Sequence, residues 1–297
     1  MRTSSLIIAG YNREKFSAEI INRGSKISKS INIPRSQEGC LMTQFNESIL
    51  LIGGRFERKC FQLIKGQEWS WKYHSTLNQN RSGASLVSTN KTKFVFGGRG
   101  IYDSTYEYLP KHCRTWILGK TKIPNGFRDG GAIAVKSEQE IWLIGGWNNE
   151  KRILCFNVND HTFEELPLKL NIGRTNLKCA FIPGTGKVMI AGGYSEKFLN
   201  SSEVLDPEDG SITLTSPMKS KRADYGIGVV TINGEDKLAL AGGLNIGGNF
   251  LKSVEIYDEK TQKWKRTNIK LNTEKSGCGF MSIKLGLICE MLTSKAI

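Results

Sequence analysis

A chain of 297 residues, 39 % of them hydrophobic, is long enough to bury most of its apolar surface. No apolar run reaches 18 residues, so no membrane-spanning helix is expected, and the short N-terminal run SSLIIAG lacks the length and cleavage site of a secretory signal. Forty-two Lys and Arg against 28 Asp and Glu give a net charge of +14, which favours acidic partners; with no basic helix or clustered Arg/Lys run, nucleic acid is not the expected one.

The first predicted strand is LIIAG (6–10), an apolar run stopped by glycine; SAEII (17–21) and a strand over 26–33 follow. Arg35 then opens a stretch containing LLIGG, ending at Gly54, KCFQL (59–63) and an aromatic strand at Trp69 or Trp71. Arg81 begins the same phrase again, with FVFGG ending at Gly98, STYEY (104–108) and Trp116. Arg128 introduces GAIAV (131–135), WLIGG ending at Gly146, ILCFN (153–157) and Phe163. Arg174 leads to VMIAGG ending at Gly193, SSEVL (201–205) and SITL (211–214), where no Trp stands. Arg222 leads to GIGVV (226–230), LALAGG ending at Gly243, SVEIY (253–257) and Trp264. The last predicted strand is SGCGFMSI (276–283), with Lys275 at the arginine position.

The glycines recur at steps of 44, 44, 48, 47 and 50 residues, which is the spacing of a repeat architecture. Four short strands per unit, with no helical period between them, exclude a parallel sheet and fit a β-propeller. The glycine pairs then mark the end of the second strand, where the backbone needs φ > 0 and neighbouring chain comes close. They are not a phosphate loop, since no GxGxxG and no following helix accompany them.

The combined phrase Arg-x-Gly, apolar strand, Gly-Gly, Ser-x-Glu-x-Tyr-Asp, Trp resembles the kelch repeat. Its fullest copy is RADYGIGVV (222–230), LALAGG (238–243) and SVEIYDEKTQKW (253–264). The resemblance covers nearly the whole chain. It implies an all-β, six-bladed kelch-type propeller with four antiparallel strands per blade. One blade would be closed by the two ends of the chain together, 1–34 with 275–283. The other blades would span 35–80, 81–127, 128–173, 174–221 and 222–274, all in one domain over 1–297, with 284–297 as a tail. The kelch propellers of BTB-kelch and F-box-kelch adaptors are the nearest likeness, without the adaptor domain. The propeller then works alone, as a fragment, or as a divergent copy of such an adaptor.

In a propeller, the loops joining second to third strands open on the same face as the links between blades. Partner-binding candidates on that face are Tyr11, Arg13, Arg55, Arg99, Trp147 and Tyr194 from the loops. Arg35, Arg81, Arg128, Arg174, Arg222 and Lys275, from the repeated basic position, are expected to ring the channel mouth. Arginine suits bidentate recognition of carboxylate, and aromatic side chains anchor interfaces. The basic excess is greatest in 81–127, at +6, and absent from 128–173, at −2. An acidic peptide or acidic protein surface is the expected partner, bound by a monomeric propeller. The kelch likeness extends this to substrate recognition for ubiquitination or to cytoskeletal binding.

No catalytic, cofactor or metal site is expected. The three histidines, His74, His112 and His161, are scattered, with His74 following its strand and the other two in turns facing away from the mouth. Kelch-type oxidases need axial histidine and tyrosine ligands that this sequence does not supply. The alternative is an enzyme acting on carboxylated sugars, sialidase-like, with converging arginines and Tyr11 or Tyr194 as nucleophile; its turn signature is poorly matched by DPEDGSIT (206–213). Seven cysteines without CxxC spacing suit a reducing cytoplasmic or nuclear setting, with Cys40, Cys155, Cys179 and Cys278 as small core residues.

Overall fold

The computed structural model describes residues 4–11, 16–21, 30–32, 39–45, 48–65, 69–100 and 102–284. In chain order the strands are β1 (Ser4–Tyr11), β2 (Phe16–Ile21), β3 (Ser30–Asn32), β4 (Leu41–Phe45), β5 (Ser48–Ile52), β6 (Lys59–Lys65), β7 (Trp69–Thr76), β8 (Ser85–Ser88), β9 (Thr92–Phe96), β10 (Tyr106–Pro110), β11 (Ile117–Leu118), β12 (Gly131–Val135) and β13 (Glu140–Ile144). They continue as β14 (Arg152–Asn157), β15 (Phe163–Lys169), β16 (Lys178–Phe181), β17 (Val188–Ala191), β18 (Tyr194–Ser195), β19 (Lys197–Phe198), β20 (Ser202–Leu205), β21 (Ile212–Thr215), β22 (Gly226–Ile232), β23 (Glu235–Ala241), β24 (Leu251–Asp258) and β25 (Lys263–Lys284).

These strands form an all-β propeller of antiparallel blades. Four sheets have four strands each, in the orders β4-β5-β6-β7, β11-β10-β9-β8, β12-β13-β14-β15 and β16-β17-β20-β21. The fifth has seven, in the order β22-β23-β24-β25-β1-β2-β3. Five blades therefore stand where six separate ones were expected. The reason lies in β25, which runs unbroken for 22 residues. Its first half pairs with β24 and its second half with β1, so the units at the two ends of the chain share one sheet. The pairing with β24 slips between Ser253↔Lys270 and Leu251↔Lys275, which takes up the change of direction without ending the strand.

The two ends of the described chain do share a sheet, through seven paired positions from Ser4↔Lys284 to Tyr11↔Ser276. Of the proposed tail, 284–297, Lys284 ends β25 and the rest lies outside the described residues.

The glycine pairs end the second strands as expected. At Gly97 (φ 67°), a Cβ would stand 1.6 Å from the Phe127 carbonyl oxygen of the incoming link. Only glycine permits that approach. The second strands are the most deeply buried: Ser48–Ile52 and Val188–Ala191 are buried throughout. Core clusters lie between sheets, as where Phe94, Phe96 and Tyr106 meet Ile141, Leu143 and Phe156. Trp116 and Trp264 are buried and donate their indole N–H to Ser75 Oγ (3.1 Å) and Ser202 Oγ (3.0 Å) of the neighbouring sheet. Cys40, Cys60, Cys155 and Cys179 are free and buried, and burial pushes the thiols of Cys40, Cys155 and Cys179 up to about 12. The side chain of Cys278 lies outside the described residues. No helix among the described residues is long and apolar enough to cross a membrane.

Candidate functional site

Four members of the repeated basic position do not line the mouth. Arg81, Arg174, Arg222 and Lys275 are fully buried, each paired with an equally buried glutamate: Glu107 (3.1 Å), Glu203 (2.6 Å), Glu255 (2.6 Å) and Glu19 (3.0 Å). The geometry repeats. Glu107 accepts the backbone N–H of Asn78 (2.6 Å) and Gln79 (3.0 Å). Glu203 accepts those of Asn171 (2.7 Å) and Ile172 (3.2 Å), Glu255 those of Lys219 (2.7 Å) and Ser220 (3.0 Å), and Glu19 those of Asn272 (2.6 Å) and Thr273 (3.2 Å).

Each carboxylate on a third strand thus clamps the link arriving from the previous unit. The cation two residues beyond the second N–H completes the clamp. It also donates to the first glycine of the pair: Arg81 to Gly97 O (2.8 Å), Arg174 to Gly192 O (2.7 Å) and Arg222 to Gly242 O (2.8 Å). Burial lowers the pKa of Arg81 and Arg222, and their glutamates oppose the shift. These four cations are scaffold. The expectation that these four side chains stand at the channel mouth is corrected: their donors point inward to carbonyls, hydroxyls and carboxylates.

Arg128 is the exception, and its unit shows why. Leu143 pairs with Leu154 in the register where Val95 pairs with Glu107 and Leu240 with Glu255. Without a carboxylate to receive it, Arg128 stays half-buried and lies over the Trp147 ring, 5.0 Å from its centre. The unit beginning at Arg35 also lacks the acid, with Phe61 at that register, opposite Leu51. Arg35 and Arg13 themselves lie outside the described residues, as does the Tyr11 side chain.

The mouth is a cavity of about 240 Å³. One residue from each repeat unit lines it at the start of the first strand: Gly39, Gly83, Asp129, Asn176, Asp224 and Gly277. All six have left-handed backbone, with φ of 54°, 52° and 52° at the non-glycine members. Asp and Asn tolerate this conformation best among side-chain-bearing residues. The backbone N–H of Asp129 donates to Gly83 O (2.7 Å), that of Asn176 to Asp129 O (2.5 Å) and that of Asp224 to Asn176 O (3.2 Å), so successive units are laced around the axis. Burial raises the Asp129 pKa, while Arg99, 3.2 Å away, works against the shift.

Arg55 and Arg99, both named from sequence, line this cavity. Around it stand exposed apolar side chains, one on each of four equivalent loops after the glycine pairs: Phe56 (74 % exposed), Trp147 (46 %), Tyr194 (38 %) and Ile246 (58 %). Arg55 lies over Phe56 as Arg128 lies over Trp147, 5.1 Å from the ring centre. Tyr194 is held in a small hairpin, β18 with β19, edge-on to Phe198 at 5.4 Å. Sequence reading missed Phe56 and Ile246, although both follow a glycine pair in a loop already named as mouth-forming.

The enzyme constellation does not assemble among the described residues. His74 lies inside β7, not after it, and is buried; His161 packs on Tyr106, with Nδ1 3.0 Å from the phenol oxygen; His112 is exposed in the turn after β10. No group of three or more His, Cys, Asp or Glu among the described residues is placed to hold a metal ion. The arginines that a sugar-acid clamp would need are engaged by internal glutamates, and the mouth floor carries Asp129 and Asp224 instead.

No family model matches the chain. It is 28 % identical over 218 residues to the F-box/kelch-repeat protein SKIP20 of Arabidopsis thaliana, an alignment that takes in 68 % of this chain and 49 % of that protein. The chain thus spans about half the length of the curated relative it matches. The repeated four-stranded antiparallel blades and this weak similarity together support a kelch-type β-propeller.

Proposed function

We propose that the protein is a non-catalytic interaction module that binds a protein partner across the mouth. The observation carrying this is the placement of Phe56, Trp147, Tyr194 and Ile246 on equivalent loops of four units, around a cavity rimmed by Arg55 and Arg99. Exposed aromatics beside arginines are the composition of interface hot spots. Two of the aromatics are already stacked under a guanidinium, so little side-chain freedom is lost when a partner docks.

The partner segment is acidic. Arg55, Arg99 and Arg128 present cationic edges at the rim, and the overall charge of +14 steers acidic surfaces towards the protein. The similarity to an F-box/kelch-repeat protein favours recruitment of a substrate for ubiquitination over cytoskeletal binding. A carboxylated sugar as substrate is disfavoured, because Arg81, Arg174 and Arg222 are held by internal glutamates and the cavity between Arg55 and Arg99 is lined by Asp129 and Asp224.

Affinity capture from cell extract, compared between the wild type and a Trp147→Ala/Tyr194→Ala double variant, tests the reading. Proteins retained by the wild type and lost by the variant at unchanged melting temperature support it. Identical retention by both removes the mouth from consideration.

A further inference from the structure

The face opposite the mouth carries a second feature that partner binding at the mouth leaves unexplained. Lys93 is buried (8 % exposed) on β9, yet among the described residues no carboxylate pairs with it; its ammonium lies over the Phe45 ring, 4.8 Å from the centre. A buried cation without a counter-ion is costly. Phe45 forms one wall of a cleft of about 300 Å³ between β4–β7 and β8–β11, which is also lined by Gln62, Lys111, His112 and Arg114. The Lys111 N–H donates to Lys91 O (2.8 Å), so the two turns bearing Lys91 and Lys111 are tied together.

Behind Phe45, His74 meets its ring edge-on at 4.8 Å. His74 Nδ1 is 2.8 Å from Ser75 Oγ, which itself receives the Trp116 indole N–H. When Ser75 gives its hydroxyl hydrogen to Nδ1, the neutral ring carries its proton on Nε2. That nitrogen is buried and has no partner. The cleft therefore has two cations on its rim, and its Phe45 wall carries a buried ammonium without a carboxylate and, edge-on, a histidine with an orphaned ring nitrogen.

We propose that this cleft between the second and third repeat units is an anion site for a phosphate monoester on a partner side chain, held by Lys93, Lys111 and Arg114. Three cations match a group of charge near −2. Arg114 offers the forked donors that phosphate favours. The aromatic wall and Gln62 suit the organic part of a phosphorylated residue, and a recessed cleft suits a side chain better than the flat surface of a bilayer.

Thermal melting of the intact chain with inorganic phosphate, against chloride at matched ionic strength, is the first test. Phosphate should raise the midpoint by about 2–4 °C at saturating concentration. Lys93→Met should abolish the rise and, in chloride alone, melt at or above the wild-type temperature, because it removes an unpaired buried charge. Arg114→Ala, at an exposed position, should weaken phosphate binding with the fold intact. A phosphoserine peptide should then bind at least tenfold more tightly than its unphosphorylated form, and Lys93→Met should erase that difference. Equal midpoints in phosphate and chloride would overturn the proposal. So would a Lys93→Met protein that melts several degrees low in chloride, or phosphoinositide vesicles that bind while the phosphopeptide does not.

Discussion

Arg222 and Arg128 occupy the same place in the repeat, and their fates differ because of one residue on the third strand. Arg222 finds Glu255; Arg128 finds Leu154 and turns outward onto Trp147. Breaking a buried ion pair leaves an uncompensated charge, at a cost of about 3–5 kcal/mol. Arg222→Ala and Arg174→Ala should therefore lower the melting temperature by many degrees or prevent folding, whereas Arg128→Ala should stay within about 0.5 kcal/mol of the wild type. Chemical denaturation of the three variants checks this, and equal losses would remove the distinction. His74 makes a pH prediction. Burial, with Arg114 and Lys93 nearby, lowers its pKa below 6.5. The unfolded chain then binds more protons than the folded one as pH falls through and below 6.5, so acidification destabilises the fold. In a buffer without phosphate, the wild type should lose stability relative to His74→Phe between pH 7.5 and 5.5. A constant difference between the two would contradict the assignment.

The strands were largely legible in the sequence because each unit repeats an apolar run ended by glycine and a Ser-x-Glu phrase. The Glu of that phrase was also the signal that the arginines were committed. It is present as Glu19, Glu107, Glu203 and Glu255 and replaced where Phe61 and Leu154 stand. The link was missed because the acid lies 26 to 33 residues beyond its arginine, a pairing that only the fold brings together. The four residues of the β18–β19 hairpin carry no strand pattern that the sequence could show. The run of β25 through 271–275 was hidden because a change of strand partner without a turn leaves no glycine or proline. The glycine pairs allow a direct test at this scale. Gly97→Ala would drive a methyl into the Phe127 carbonyl, whereas Gly184→Ala (φ 78°) meets nothing within 4 Å. Gly184→Ala should cost only the ~1–2 kcal/mol of a left-handed residue, and Gly97→Ala should cost far more. Similar melting temperatures for the two variants would refute close packing at the pair.

The whole molecule is closed by hydrogen bonding between its two ends, β1 with the second half of β25. Removing 276–284 would strip β1 of one partner and leave an exposed edge on a sheet that otherwise continues across the closure. The truncated chain should aggregate or lose its cooperative transition, and a sharp, wild-type-like melt would show that closure contributes little. On this scaffold the proposed binding face is built from loops, while the clamps tie each unit to the link before it. The claim that joins these observations is that a protein partner docks on the mouth loops. Photo-crosslinking reads it most directly, with a photoreactive amino acid placed in turn at Phe56, Trp147 and Ile246 and, as a control, at Leu214, exposed on the outer strand β21. The three mouth positions should capture one common protein and the control should not. Capture from Leu214 with none from the mouth would contradict it.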